Sequence, residues 1–334
     1  MIAIPRSRSF LLPGLLFSFC LLLASWVASI GLGAADIAWQ DIYEALFAFD
    51  GSTEHLIIRT VRIPRSLIAL CVGAALAVAG ALMQGITINP LASPAILGVN
   101  AGASLAVVGA TFLIPGQSLS VYAWFAFFGA GITVILVYSI ASLGQGGLTP
   151  LNLTLAGAAI TAFVASFTTG ILIVSQRTLE EIRFWLAGSV AGRDLDLFLQ
   201  VLPYFIIGLI LAFALGKQIT VLSLGEDMAK GLGQSTLWIK GLAAVSIILL
   251  AGASVAIAGP IGFLGLIIPH ITRACVGVDY RWILPYAAIF GAILLLNADI
   301  LARLILQPQE LPVGLMMPLL GAPFFIYLTR WKVK

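Results

Sequence analysis

The chain has 334 residues, of which 61% are hydrophobic and only 9% are charged, and its mean hydropathy is +1.11. So few polar side chains cannot cover a soluble globule of this size, which excludes a water-soluble enzyme or binding domain. The formal charge of +3 is small, and no basic run points to a nucleic-acid partner. The composition therefore predicts an all-α protein that crosses a membrane several times.

Apolar runs of about 20 residues, the length that a helix needs to cross a bilayer, account for most of the chain. In chain order they lie near residues 10–33, 64–86, 94–114, 119–142, 150–174, 198–216, 237–258, 260–277, 282–301 and 312–330. We therefore expect about ten transmembrane helices in one domain over residues 1–334. The first run follows Arg6 and Arg8 and is too long for a secretory signal, so we expect it to be retained.

The distribution of basic residues indicates which side of the membrane holds the termini. An even number of spans places both termini on one side, and cytoplasmic termini put all five lysines inside the cell. Residues 36–49, DIAWQDIYEALFAF, are amphipathic but too short and too charged to span. We expect them to lie on the opposite, periplasmic membrane surface in contact with lipid.

The longest polar interruption in the C-terminal half is KQITVLSLGEDMAKGLGQST at 217–236, which this orientation places in the cytoplasm. Ser223 is expected to cap a short helix, with Glu226 and Asp227 in its first turn and Lys230 near its end, an order that suits the helix dipole. Such a charged helix is a candidate docking site for another protein. A solvated loop that happens to be helical accounts for the same pattern.

Arginines form a second landmark on the predicted outer side. Arg59, Arg62 and Arg65 crowd the start of the second span, and Arg303 follows the ninth. Arginines can anchor a helix at the lipid headgroups. Alternatively, exposed guanidinium groups receive carboxylates of a docking protein in bidentate pairs.

The sequence offers little for catalysis or metal binding. It contains no GxxxxGK[ST] phosphate loop, its two histidines are far apart, and its three cysteines lack metal-ligand spacing. We therefore expect no catalytic site, no metal site and no bound cofactor, and the chain is not expected to be an enzyme. The spans also lack ionisable groups at mid-depth, which argues against a proton-coupled secondary carrier and favours energy supplied by a partner.

Several segments together resemble the FecCD family, the membrane permeases of bacterial ABC importers for ferric siderophores, haem and cobalamin. They are, in chain order, RIPRSLIALCVGAALAVAGALMQGITINPLASPAILGVNAGA, FWLAGSVAG, LSLGEDMAKGLG, GPIGFLGLIIPHITR and ELPVGLMMPLLGAPFFIYL. The resemblance implies a type II importer fold in the bacterial cytoplasmic membrane, with ten helices per subunit. It also implies a second permease subunit, either another copy or a paralogue, and a cytoplasmic ATPase dimer that carries ATP and Mg²⁺.

The resemblance assigns roles to the polar segments. The coupling loop of the family sits in a groove of the ATPase, which here implies contacts from Leu224, Gly225, Glu226, Asp227, Met228, Ala229 and Lys230. A periplasmic or lipid-anchored binding protein is expected to place glutamates on Arg62, Arg65 and Arg303, with Arg59 beside them.

The resemblance leaves the gate and the cargo less defined. Before the fifth span, LTPLNLT departs from the small hydroxyl residues common in the family, so the gate candidates are Thr149, Asn152 and Thr161. The overall pattern favours a ferric siderophore as cargo. Haem or cobalamin transport by the same kind of permease, and a secondary carrier, are the alternatives.

Overall fold

The computed structural model describes residues 10–33, 37–144, 147–307 and 309–332, and every regular element in these ranges is helical. Fifteen α-helices follow one another in this part of the chain: α1 Leu11–Gly31, α2 Trp39–Phe47, α3 Thr53–Ile57, α4 Ile63–Thr87, α5 Val99–Leu113, α6 Leu119–Leu143, α7 Pro150–Val174, α8 Gln176–Leu186, α9 Leu195–Ala214, α10 Gly216–Leu222, α11 Glu226–Gly231, α12 Thr236–Ala258, α13 Leu264–Val276, α14 Tyr280–Leu304 and α15 Val313–Lys332. A π-helical turn, Ile58–Arg62, joins α3 to α4. The all-α prediction is confirmed.

The predicted membrane spans correspond to the long apolar helices. Within the described residues, seven helical segments are long and apolar enough to cross a bilayer, and three shorter apolar helices accompany them. Together these elements follow the ten predicted apolar runs in order. The chain is a multi-pass membrane protein. Arg6, Arg8 and Asp36 of the sequence predictions lie outside the described residues.

Helix α4 is the centre of the bundle, because it packs against α9, α12, α13 and α14. Small residues allow the close approach: a Cβ at Gly73 would overlap the backbone at Gly291, and one at Gly80 would overlap the backbone at Gly265. Helix association in membranes depends on such packing, since lipid supplies no hydrophobic drive between helices. Outside this centre, α5, α6 and α7 form a second packed group.

Two predicted spans are shorter than expected, and local backbone chemistry explains both. The run 94–114 begins with a 3₁₀ turn, Pro94–Leu97, and Gly98 at φ +74° separates this turn from α5. The run 260–277 follows Gly259, whose φ is +72°, and begins with a non-helical stretch that ends at Phe263 with a φ of +64°. A φ in this range ends a right-handed helix, so α13 begins only at Leu264.

The amphipathic segment contains helix α2, and its placement on the membrane surface stays a prediction. Its face with Ile42 and Ala45 is buried, while Trp39, Tyr43 and Phe47 are exposed. Aromatic side chains on one side of a short charged helix suit the boundary between lipid and water.

Candidate functional site

Polar residues gather at two opposite ends of the central helices. Helices α4 and α14 are antiparallel neighbours, because Arg65 near the start of α4 contacts Asp299 near the end of α14. At the other end, a Cβ at Gly85 would meet Tyr280, the first residue of α14. The two ends are separated by about 30 Å at 1.5 Å per helical residue, which is the thickness of a bilayer core. We call them the arginine end and the loop end.

The arginine end is built around one fully buried carboxylate. Asp299 Oδ1 lies 2.9 Å from Arg65 Nη2, and Asp299 Oδ2 lies 3.1 Å from Arg303 Nη2. Arg65 also reaches Glu310, whose Oε2 lies 2.5 Å from Nη1. Two guanidinium groups therefore share Asp299, and the more exposed Glu310 supplies a second negative charge, so the buried charges of Arg65, Arg303 and Asp299 are compensated.

The remaining bonds of the arginines satisfy helix ends. Arg62 Nη1 donates to Ile30 O at 2.9 Å and to Gly31 O at 2.7 Å, and Arg303 Nη1 donates to Leu32 O at 2.8 Å. The last carbonyls of a helix lack partners within the helix and carry partial negative charge, so cations stabilise them. Arg59 does the same for α2, since its Nε donates to the carbonyl of Ala45 at 2.6 Å.

The expectation of exposed guanidinium groups is wrong for three of the four arginines. Arg62, Arg65 and Arg303 are only 2–6% exposed, because Asp299, Glu310 and the carbonyl end of α1 hold them inside the bundle. Arg59 is exposed as expected, although its head group is bonded to the backbone and stacks over Phe49. Among the four acidic and basic partners of this cluster, Glu310 is the most open, with its side chain 31% exposed.

At the loop end, segment 217–236 contains the predicted short helix but with a different cap. Helix α11 follows Gly225, whose φ of +121° is a conformation that residues with a side chain rarely adopt. Ser223, the predicted cap, instead closes α10, because its Oγ donates to Thr220 O at 2.7 Å. The sharp turn at Gly225 therefore sets the direction of α11.

An apolar ridge runs along this segment at four-residue spacing. Leu224, Met228 and Leu232 are 58–64% exposed, and we call these three residues the apolar ridge. Asp227 and Lys230 are exposed beside it. Ala229, which was predicted to contribute to the same contact surface, is fully buried and packs inward. Exposed apolar side chains flanked by charges are typical of a protein-docking surface.

The carboxylate of Glu226 is engaged inside the chain. Its Oε2 lies 2.6 Å from the Nζ of Lys240, its Oε1 lies 3.2 Å from the Nζ of Lys230, and Thr236 donates to Oε1 at 3.2 Å. The hydrogen bond from Lys240 is the largest influence that lowers the pKa of Glu226 below its ordinary value. The contact of Glu226 with the ATPase that the resemblance implies would have to compete with these bonds.

The three gate candidates do not form one cluster. Thr149 caps α7 by accepting from Asn152 N at 3.2 Å, and Asn152 Nδ2 donates to Gly147 O at 2.8 Å. Thr161 lies about 18 Å further along α7, given the rise per helical residue. Its hydroxyl is buried and has no hydrogen-bond partner in the part of the chain that the structure describes.

A second link at the loop end was not predicted from the sequence. Thr220 Oγ1 of α10 donates to Asp279 Oδ1 at 3.2 Å and accepts from Tyr280 N at 2.8 Å. Asp279 is the N-cap residue of α14, and a hydrogen bond from Arg281 is the main influence that lowers its pKa. Thr220 is 59 and 60 positions away from these two partners in the chain, so no local pattern could have paired them.

Comparison with known proteins agrees with this architecture. Residues 21–331 match the model of the FecCD transport family. The chain is 50% identical, over 94% of both chains, to the "Probable siderophore transport system permease protein YfiZ" of Bacillus subtilis. It is 47% identical to the Fe(3+)-citrate import system permease protein YfmD of the same organism, over 94% of this chain and 95% of the relative. It is also 39% identical to the ferric enterobactin transport system permease protein FepD of Escherichia coli, over 98% and 97%.

Solved structures give the same result. A structure described as the inward-facing conformation of a metal-chelate type ABC transporter superimposes with a TM-score of 0.83 at 31% identity, covering 95% of this chain and 98% of that chain. Both the family match and the relatives span nearly the whole chain. The chain belongs to the FecCD transport family of membrane permeases.

Proposed function

We infer that this chain is the membrane-spanning permease subunit of an ABC importer that moves an iron(III) chelate across the bacterial cytoplasmic membrane. The observation that carries this inference is the set of relatives, which match over more than nine-tenths of the chain and are named for siderophore, citrate and enterobactin transport. The helical bundle has a cluster of polar residues at each end, which suits a permease that binds other proteins on both sides of the membrane.

The loop end is proposed to face the cytoplasm and to bind an ATPase dimer. The lysines at 217, 230 and 240 all lie in this part of the chain, as the charge rule for cytoplasmic loops requires. The apolar ridge and Asp227 are exposed there and offer both an apolar anchor and a charged rim. ATP and Mg²⁺ would be held by the ATPase, and this chain is proposed to bind no cofactor of its own.

The arginine end is proposed to face the periplasm and to receive a periplasmic or lipid-anchored binding protein. Arg59 is exposed, and the Arg65–Glu310 pair opens to the surface through Glu310. A carboxylate of the binding protein would have to replace Glu310 on Arg65. Because Arg62 and Arg303 bond the end of α1, we propose that they hold this surface in place rather than meet the partner directly.

A second permease subunit is proposed to complete the pathway beside α7. This helix has many exposed apolar side chains, among them Leu151, Leu155, Phe163 and Phe167. It also carries the gate candidates Asn152 and Thr161, with Thr149 immediately before its first turn at the proposed cytoplasmic mouth. The hydroxyl of Thr161 is buried, so α7 would have to move for it to reach the pathway. A homodimer and a heterodimer with a paralogue both fit such a face, and mass spectrometry of the intact complex distinguishes them.

Uptake into proteoliposomes tests the function. The copurified complex is reconstituted, with its binding protein outside and ATP inside, and radioactive iron is supplied as a ferric hydroxamate, a ferric catecholate or ferric citrate. We expect uptake of at least one chelate that requires ATP and survives collapse of the proton gradient. Uptake that persists without ATP and follows the proton gradient would instead identify a secondary carrier. Uptake of haem or cobalamin in preference to every iron chelate would overturn the choice of cargo.

A further inference from the structure

We propose that Lys240 is a positioning residue that ties helix α11, and with it the apolar ridge, to the beginning of helix α7. Its Nζ is held by two elements that are distant in the chain. It lies 2.6 Å from Glu226 Oε2 at the start of α11 and donates to Leu148 O at 3.3 Å, immediately before Thr149. The proposal rests on the proposed function, since it specifies how motion of the coupling segment reaches the predicted gate.

The burial of Lys240 gives this bridge its strength. The residue is 6% exposed, whereas Lys230, the other lysine that contacts Glu226, has a side chain that is 58% exposed. An ion pair at an exposed site contributes little and breaks easily. A buried ammonium that loses its partner stays uncompensated in a region that water reaches poorly. We therefore expect Glu226, Lys240 and the Leu148 carbonyl to move together, while the exposed ion pair between Lys230 and Glu226 forms and breaks.

The position of Leu148 connects Lys240 to the first turn of α7. The next residue, Thr149, caps α7, and Asn152 lies in the first turn of that helix with its side chain bonded to Gly147 O. A displacement of α11 pulls on Glu226, then on Lys240, and then on the turn that starts α7. Such a chain of bonds is a transmission path only if breaking it uncouples the two ends.

A charge-swapped double variant, Glu226→Lys with Lys240→Glu, separates the ion pair from the bridge. The swap retains opposite charges at the two positions, but a carboxylate at 240 cannot donate a hydrogen bond to the carbonyl of Leu148. Lys240→Met removes both bonds, and Lys230→Met removes only the exposed contact. Each variant is copurified with its ATPase and binding protein, and transport and ATP hydrolysis are measured in the same proteoliposomes.

We expect the swapped complex to assemble and hydrolyse ATP but to transport at least tenfold less chelate per ATP than wild type, with Lys240→Met similar and Lys230→Met unchanged. Transport per ATP within about twofold of wild type in the swapped complex would overturn the proposal. If wild type itself shows no ATP-driven uptake, the proposed function has failed rather than the bridge.

A distance measurement decides the matter even if the variants do not assemble. Spin labels are placed on cysteines at Gly231, which has open space around it, and at Leu151, which is exposed, after the native cysteines have been replaced. We expect the separation of the two labels to stay constant within about 2 Å between nucleotide-free and nucleotide-trapped complexes, as for two parts of one rigid body. A change of about 5 Å or more would show that α11 and the start of α7 move independently and would refute the bridge.

Discussion

Replacing Asp299 with asparagine tests whether the buried cluster at the arginine end stabilises the fold through charge. The carboxylate is fully buried between Arg65 and Arg303. Removing one partner of a buried ion pair costs about 3–5 kcal/mol, because the remaining charge is left uncompensated. Arg65 keeps Glu310, and Arg303 keeps the carbonyls of Ser29 and Leu32. The amide also still accepts one hydrogen bond. We therefore expect a loss near the lower limit, about 3 kcal/mol.

Reversible unfolding of the purified chain in mixed micelles, with increasing denaturing detergent, measures this loss. The matched control is Asn297→Ala on the same helix, where exposed bonds to Ser25 and to the Ile293 carbonyl are removed and the expected loss is about 1 kcal/mol or less. In a double-mutant cycle, Arg303→Met should cost less in the Asp299→Asn background than in wild type. A loss below about 1 kcal/mol for Asp299→Asn would show that the cluster stabilises the fold no more than an exposed ion pair does, and that its buried charges do not stabilise the fold as proposed.

Three further predictions concern the two ends. Met228→Pro should interrupt α11 and abolish stimulated ATP hydrolysis in the complex. The control is Gln234→Ala, at a side-chain oxygen without a described partner, which should change ATP hydrolysis little. Normal stimulation in the proline variant would show that the segment is a passive connector. Wild type should be more stable than Glu226→Gln, and this difference in unfolding free energy should reach its full size above the ordinary carboxyl pKa of 4.5. It should shrink as pH falls through the lowered pKa of Glu226 in the folded state, because protonation removes the charge that the lysines hold. A difference that is independent of pH would contradict the bridge. Reversing both Arg62 and Arg65 to glutamate should lower the yield of folded chain, since both groups are buried. A normal yield would contradict the structural role of these two arginines.

Hydrophobicity predicted the helices well because the formation of a membrane-spanning helix depends on a continuous stretch of the sequence. Each spanning helix must satisfy its own backbone hydrogen bonds in lipid, so an apolar run of sufficient length has few alternatives. The exceptions also have local causes, since Gly98 and Phe263 have positive φ values that end regular helix in two predicted spans. Proline and glycine near those positions were visible in the sequence, but their backbone angles depend on the packing of neighbouring helices.

The partners of the polar residues could not be predicted, because they are distant in the chain. The partners of Arg65, Asp299 and Glu310, lie 234 and 245 positions away from it in the chain. The carbonyl of Leu148 lies 92 positions away from Lys240. The sequence placed the arginines at one end and the lysine at the other, and gave no indication that they are buried. The short-range rule for helix caps also failed at Ser223. A serine is a common N-cap residue, yet Ser223 bonds backward to α10, and Gly225 is the N-cap residue of α11.

Both ends of α14 are held to neighbouring helices by polar contacts. Asp279 accepts from Thr220 at its beginning, where a carboxylate suits the helix dipole, and Asp299 lies near its end, where the dipole disfavours a carboxylate and two arginines compensate. Sliding α14 along α4 would break the Arg65–Asp299 bonds and interrupt the close contact at Gly73, so we expect the two helices to move as one body. Helix α7 has no comparable buried ion pair among its described residues and is largely exposed. Nucleotide-driven motion at the apolar ridge should therefore appear as displacement of α7 relative to α4 and α14, and Lys240 lies where that displacement would begin.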